Sequence, residues 1–332
     1  MTTTLKALLT GGLLLASSVA TAETIERDIC VFDIAGKVGP TMAAMQDWRT
    51  EALSWGLSAN LKVYTNESVV AEDLKAGVCD AALMTGIRAR QFNKYAGTLD
   101  SIGAIPTMEH MKIALQVMAH PNSADKLTAN SYEVMGIAPI GAAYIFVNDR
   151  RVNTLAKAAG KKVAVLDYDP TQAKLVAAAG ATPVPSDITN FAGKFNNGVV
   201  DVIAAPLVAY NVLELYKGLE PDGGIIDYPL VQLSIQLIAK ADRFPEEMAQ
   251  TSREYFYNSL DQVLEQVERE ASVVDEKWWV DIPAKDKQEY EVMMQDARDQ
   301  MRNEGHYDPD MLDLLRKIRC KLNSSRAECT GA

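Results

Sequence analysis

The chain has 332 residues, with 33 Lys and Arg against 44 Asp and Glu and a formal net charge of −11. That acidity argues against nucleic acid and anionic membrane surfaces as partners, because both reward clustered Lys and Arg. An apolar fraction of 48% with 23% charged residues is that of a globular protein, and the length calls for two domains or one large one.

The N-terminus reads as an export signal. Lys6 is the only charge before Glu23, an apolar run extends from Ala7 to Ala20, and Ala20-Thr21-Ala22 supplies a small-x-small cleavage site. Cleavage after Ala22 is expected, with the periplasm as destination. The run is too short and too rich in Gly and Ser to span a bilayer, and no later segment is apolar enough. The mature chain is therefore expected not to be membrane-embedded. Cys30, Cys79, Cys320 and Cys329 form an even set in an exported chain, which suggests two disulfides with three possible pairings. A metal centre is not expected: there is no CxxC, and His110, His120 and His306 lie far from the cysteines in sequence.

From residue 28 the pattern alternates strand and helix. Residues 28–33 read as a short buried strand, and the loop after them leads to Pro40, which suits a helix start. Met42, Met45, Trp48 and Ala52 recur at helical spacing before Gly56. Residues 60–64 alternate as a half-buried strand, 68–76 form a helix stopped by Gly77, and 78–84 form a third strand. This β-α-β-α-β order predicts a parallel sheet with right-handed crossovers. If its spatial order is 2-1-3, Cys30 and Cys79 face each other. That favours Cys30–Cys79, with Cys320–Cys329 closing a short loop at the tail. A helix is expected over 110–117 and a strand over 144–147.

A second α/β unit follows. It has a helical turn at 154–160, a strand at 162–166, a helix at 170–179 ended by Gly180, and an extended 182–185. A helix at 188–197 and a strand at 199–205 complete it. Residues 230–238 read as a strand returning to the first unit. Residues 245–321 are almost wholly helical, broken at Pro283 and around 305–309. The two units echo each other in a Gly-Val-x-Asp strand start, at Gly77-Val78-Cys79-Asp80 and at Gly198-Val199-Val200-Asp201.

Several segments, in order, resemble the solute-binding proteins of tripartite ATP-independent periplasmic (TRAP) transporters, the DctP-like family. They are Leu74-Lys75-Ala76-Gly77-Val78-Cys79-Asp80, Gly160-Lys161-Lys162-Val163, Ala179-Gly180-Ala181-Thr182-Pro183-Val184-Pro185, and Gly198-Val199-Val200-Asp201 with Pro206. Late Trp278, Trp279 and Pro283 also fit, and the likeness covers residues 58–315. The resemblance implies an α/β, periplasmic-binding-protein-like (type II) fold, with two α/β lobes, a cleft and long C-terminal helices. Lobe 1 is expected over 23–145 plus 235–332 and lobe 2 over 146–234. The implied function is capture of a small molecule between the lobes and delivery to membrane permease subunits, without catalysis and without a cofactor. Where that family carries an Arg that clamps a substrate carboxylate with its planar fork, this chain has Ala164. The segment 30–37 also departs from the common pattern. The chain thus reads as a divergent branch to which an organic-acid ligand does not carry over. The alternatives are an orphan ligand-sensing or adaptor subunit of a membrane system, and a periplasmic hydrolase. Against the hydrolase, no Gly-x-Ser-x-Gly, HExxH, Walker or GxGxxG motif occurs.

In open α/β sheets, ligands bind beyond the carboxyl ends of strands. That rule picks Asp33 and Lys37 after the first strand, Asn66 after the second, and Thr85, Arg88 and Arg90 after the third. In the second unit it picks Asp167, Tyr168 and Thr171, then Pro206 and Tyr210. Arg88 and Arg90 are the candidate replacements for the missing anion clamp. Asp167 and Asp169 around Tyr168 suit a cationic or polyhydroxy ligand, or equally a turn and cap before Pro170. Closure about crossings near 140–147 and 234–238 is the expected motion.

Overall fold

The computed structural model describes residues 24–329; the expected export signal and its cleavage site lie outside them. Among the described residues eleven strands join one mixed sheet. They are β1 (Ile25–Phe32), β2 (Leu57–Tyr64), β3 (Ala81–Thr85), β4 (Thr128–Ala129), β5 (Tyr132–Val147), β6 (Lys162–Leu166), β7 (Thr182–Ser186), β8 (Val202–Pro206), β9 (Gly224–Ile226), β10 (Val231–Lys240) and β11 (Trp279–Val280). The order along the sheet is β2-β1-β3-β10-β5-β8-β6-β7, with β4, β9 and β11 beside it.

At one end β1 pairs parallel to both β2 and β3. Ile29, Cys30, Val31 and Phe32 are all buried, as a strand covered on both faces requires. The helix Pro40–Ala52 covers one face with Met42, Met45, Trp48 and Ala52. The indole of Trp48 donates to Ser252 Oγ at 3.0 Å on the helix Glu246–Asn258, which ties this end to the C-terminal helices. The helix Glu67–Ala76 covers the other face with Val70, Ala71 and Leu74. The 2-1-3 order holds, and Cys30 is bonded to Cys79 with Cα atoms 5.9 Å apart. The second bridge joins Cys320 to Cys329.

The third and last strands of the two units start later than expected, for the same reason. Both follow the Gly-Val-x-Asp segment instead of including it. Asp80 accepts from the Asp28 N–H at 2.9 Å through Oδ2, and its own N–H donates to Asp28 O at 2.8 Å. Asp201 repeats this against Lys162, at 2.9 and 2.8 Å. Each Asp therefore pins the neighbouring parallel strand from outside the ladder, β1 at its middle and β6 at its start. β7 carries Pro183 and Pro185, and tolerates them because it is an edge strand paired only to β6.

The strand expected at 144–147 is the last quarter of the 16-residue β5. β5 pairs with β10 over Tyr132–Ala143 and with β8 over Ala143–Val147, both antiparallel. Together β5 and β10 carry the sheet from one α/β unit to the other. Their register shifts twice, leaving Ile140 and Met135 as the extra residues. At the first shift Gly141 has φ +91°, and Val267 of the helix Leu260–Ala271 lies 3.0 Å from where a Cβ would stand. Both left-handed backbone and a close helix call for glycine there. The helix Ala284–Asn303 then packs Tyr290, Met294 and Ala297 among Ile102, Val147 and Val202, touching both units.

Candidate functional site

A cavity of about 820 Å³ opens among these elements, in the upper part of the range typical of small-molecule sites. Its wall takes Asp33 and Val38 from the first unit, Ile140 from the crossing strands, and Ala164 and Pro206 from the second. The helix Leu260–Ala271 adds Val263 and Val267. Val163, Ala164 and Val165 all contribute, so the cavity reaches both faces of β6. Aliphatic side chains dominate. Among Asp, Glu, His, Lys and Arg, the wall holds Asp33, Asp47, Asp100, Asp169 and Glu270, and one base, Arg269.

Polar groups gather where the first unit meets the second. Glu67, 1% exposed, begins the helix Glu67–Ala76. Its Oε1 accepts from the Thr85 N–H at 2.7 Å, and its Oε2 from the Tyr168 hydroxyl at 3.1 Å and Arg88 Nε at 3.5 Å. The Arg88 guanidinium stacks 3.3 Å from the centre of the Tyr168 ring. Burial raises the Glu67 carboxyl above its ordinary range against the pull of Thr85 and Arg88. Burial and the Glu67 charge push the Tyr168 hydroxyl well above its ordinary range. Beside this group, Arg90 meets Asp169 at 3.4 Å, donates to Gly97 O at 3.1 Å and lies over the Tyr307 ring. Asp169 caps the helix Pro170–Ala178 by accepting from the Thr171 N–H at 3.1 Å.

Asp100, 3% exposed, accepts from the Ser234 hydroxyl at 2.6 Å and the Ser234 N–H at 3.0 Å. Gly86 leaves room for it, since a Cβ there would stand 2.6 Å from the carboxylate. Burial pushes the Asp100 carboxyl up to about 7, opposed by the Ser234 hydrogen bonds and the Arg90 charge.

Of the residues that the strand-end rule selects, Asp33, Thr85, Tyr168, Thr171 and Pro206 line the cavity. Asp33 is already used, accepting from the N–H groups of Ala35 and Met42 at 2.8 and 2.9 Å. The other six are not part of the wall. Lys37 and Asp167 are exposed. Asn66 is spent as the cap of the helix Glu67–Ala76, accepting from Ser68 at 2.9 Å. Tyr210 packs against Tyr216 in the second unit's core. Arg88 and Arg90 stand behind the wall because Glu67 and Asp169 hold them. Clamping an anion would take them from those buried carboxylates, which would then keep only their uncharged donors. Sequence reasoning missed Glu67 and Asp100. Glu67 looks like an ordinary acidic first-turn residue, and Asp100 lies in a segment without periodicity, so neither gives a signal.

Two α/β units joined by crossing strands around a cavity define a two-lobed binding-protein fold. The family model described as "Solute-binding protein AdeT 1/2" matches residues 40–332, and the chain belongs to that family. It is 44% identical over 299 residues to "Probable solute-binding protein AdeT1" of Acinetobacter baumannii, covering 90% of this chain and 98% of that one. Among solved structures it is similar to a TRAP periplasmic solute binding protein from Desulfovibrio salexigens with bound orotic acid. That match has a TM-score of 0.75 and 15% identity, and covers 90% of this chain and 99% of the other. A second is the TRAP protein from Ralstonia eutropha H16 with bound (S)-2-acetolactate, at TM-score 0.73 and 12% identity, covering 89% and 99%. At such identities the likeness shows the fold. Among the described residues no helix is long and apolar enough to cross a membrane.

Proposed function

We propose that the chain, after removal of residues 1–22, works in the periplasm, holding one small molecule between lobe 1 (23–145 with 235–332) and lobe 2 (146–234) and presenting it to membrane permease subunits. The observation that carries this reading is the cavity of about 820 Å³ whose walls come from both α/β units. Membership of a solute-binding family supports it, as do ligand-bound structural neighbours. Closure bends the chain at its crossings near 140–147 and 234–238, where β5 and β10 pass between the lobes and a register shift at Ile140 interrupts their ladder. Contacts of Tyr168 with Glu67 and of Asp169 with Arg90 then set the closed geometry. Ligand favours the closed form only as far as it binds that form better. The role is binding without turnover. Three acids of the wall are engaged, Asp33 by backbone N–H groups, Asp100 by Ser234 and Asp169 by the Thr171 N–H and Arg90, and Glu270 accepts from Gln266 at 2.6 Å; His110 lies elsewhere, with Thr107 Oγ1 2.7 Å from its Nδ1.

Thermal denaturation over a panel of periplasmic metabolites tests this. A ligand at 100 times its Kd is expected to add about 2.7 kcal/mol of stability, and Ala164→Trp, which fills part of the wall, is expected to abolish the gain. Absence of any stabilising compound, or steady consumption of the one that stabilises, would defeat the proposal.

A further inference from the structure

We propose that the cavity selects an apolar molecule carrying one ammonium head group and turns away carboxylates; this rests on the reading that the cavity is the ligand site. Three sets of residues carry it. The bulk of the wall is aliphatic and comes from every bordering element, with Val38, Ile140, Leu213 and Val267 as representatives. Such a wall gives an apolar body its affinity and offers a charged group nothing.

Arg88, Arg90 and Arg269 all hold partners already. Arg88 is held by Glu67 and Tyr168, and Arg90 by Asp169 and Gly97 O. Arg269, the base at the wall, lies on an exposed helix face, 2.9 Å from Gln266 Oε1 and 3.7 Å from Glu265. Ala164 adds a methyl group to the wall. A carboxylate entering the aliphatic part of the cavity would lose its water and meet no unengaged arginine there.

The polar groups at the wall are, by contrast, acceptors of the right sign for a cation. Asp100 uses two of its roughly four lone-pair sites on Ser234. Thr85, Tyr168, Thr171 and Asp169 also line the cavity. An ammonium group placed there compensates a buried negative charge that no base contacts directly. Burial already raises the Asp100 carboxyl to about 7, and a cation in contact would restore its ionised form.

The test uses N-phenyl-1-naphthylamine, whose emission rises in apolar surroundings, as a reporter of cavity occupancy in the mature chain at pH 7.5. Decylammonium, decanoate and decanol compete for it below their aggregation concentrations. They share a tail and differ in the head. Decylammonium is expected to displace the dye at a concentration at least about tenfold below decanoate, the equivalent of ~1.4 kcal/mol, with decanol between them. Ala164→Arg, which adds a guanidinium to the wall, is expected to reverse that order, and Asp100→Asn to weaken decylammonium while leaving decanol unchanged. Should decanoate equal or outcompete decylammonium on the unaltered protein, the head-group assignment falls while the cavity remains a binding site. Should the dye not bind, and Ala164→Trp change nothing, the binding reading falls with it.

Discussion

Asp100→Asn separates the electrostatic cost of one buried carboxylate from everything else in the chain. Burial raises Asp100 from 3.8 to about 7, a difference of about 3 units at ~1.4 kcal/mol each, or ~4 kcal/mol. Between those values the folded chain holds a proton that the unfolded chain has released. The contribution is thus fully present below about pH 4 and lost as pH rises through 7. The Ser234 hydrogen bonds and Arg90 pull the carboxyl down and Glu67 pushes it up. Asn removes the titration. It keeps an acceptor for the Ser234 N–H, but it presents N–H instead of oxygen to the Ser234 hydroxyl, which already accepts from Gln236 at 3.0 Å. That exchange costs about 1 kcal/mol. Urea denaturation from pH 4 to 8 is the assay. The variant is expected to be about 1 kcal/mol less stable at pH 4 and about 3 kcal/mol more stable at pH 8. His110, which burial holds below its ordinary range, is common to both proteins and cancels in the difference. A difference between variant and parent that stays flat from pH 4 to 8 would refute the reasoning.

Three further outcomes are expected. Glu328 accepts from Arg319 at 2.7 Å and from Arg326 at 3.0 Å, with Arg298 3.7 Å away. Burial would raise it, but the Arg319 hydrogen bonds and the neighbouring arginine charges hold it at about 2. Glu328→Ala leaves Arg298 and Arg319 buried without their carboxylate and should cost ~3–5 kcal/mol, read as a lower urea midpoint. Tyr168→Phe keeps the ring under Arg88 but removes the hydroxyl from Glu67. It should cost about 1 kcal/mol and speed amide exchange at Thr85, which the same carboxylate holds; unchanged exchange there would speak against the shared anchor. Gly141→Ala places a Cβ at a positive φ and against Val267. A loss of ~1–3 kcal/mol in thermal denaturation is expected, and none if the bulge relaxes freely.

The regular elements were legible because local chemistry decides them. Pro40 and Gly56 bound the first helix, Met42, Met45, Trp48 and Ala52 give its buried face, and Pro170 and Gly180 bracket another. The parallel pairing followed from the β-α-β-α-β order, while the 2-1-3 order, and with it the Cys30–Cys79 bond, entered only as a condition that the sheet meets. The full length of β5 was not legible. Pro139, Gly136 and Gly141 interrupt its alternation, and it survives as a strand because bulges absorb them. The site was legible only as a set of strand ends. Asp33, Thr85, Tyr168, Thr171 and Pro206 lie at the wall, but no local pattern says which arginine is free. Glu67 is 21 residues from Arg88 and 101 from Tyr168, so the pairing that withdraws Arg88 exists only in three dimensions. The apolar wall was invisible for another reason: a Val facing a cavity and a Val facing a core read alike.

Capture of a small molecule in the cavity is tested most directly by native mass spectrometry of the chain, purified gently from its own cells, beside Ala164→Trp prepared the same way. The account predicts one bound species of small-molecule mass per chain on the parent, lost from the variant. A parent chain whose native mass equals its sequence mass, even after incubation with the periplasmic small-molecule pool, or an adduct that Ala164→Trp retains in full, would contradict it.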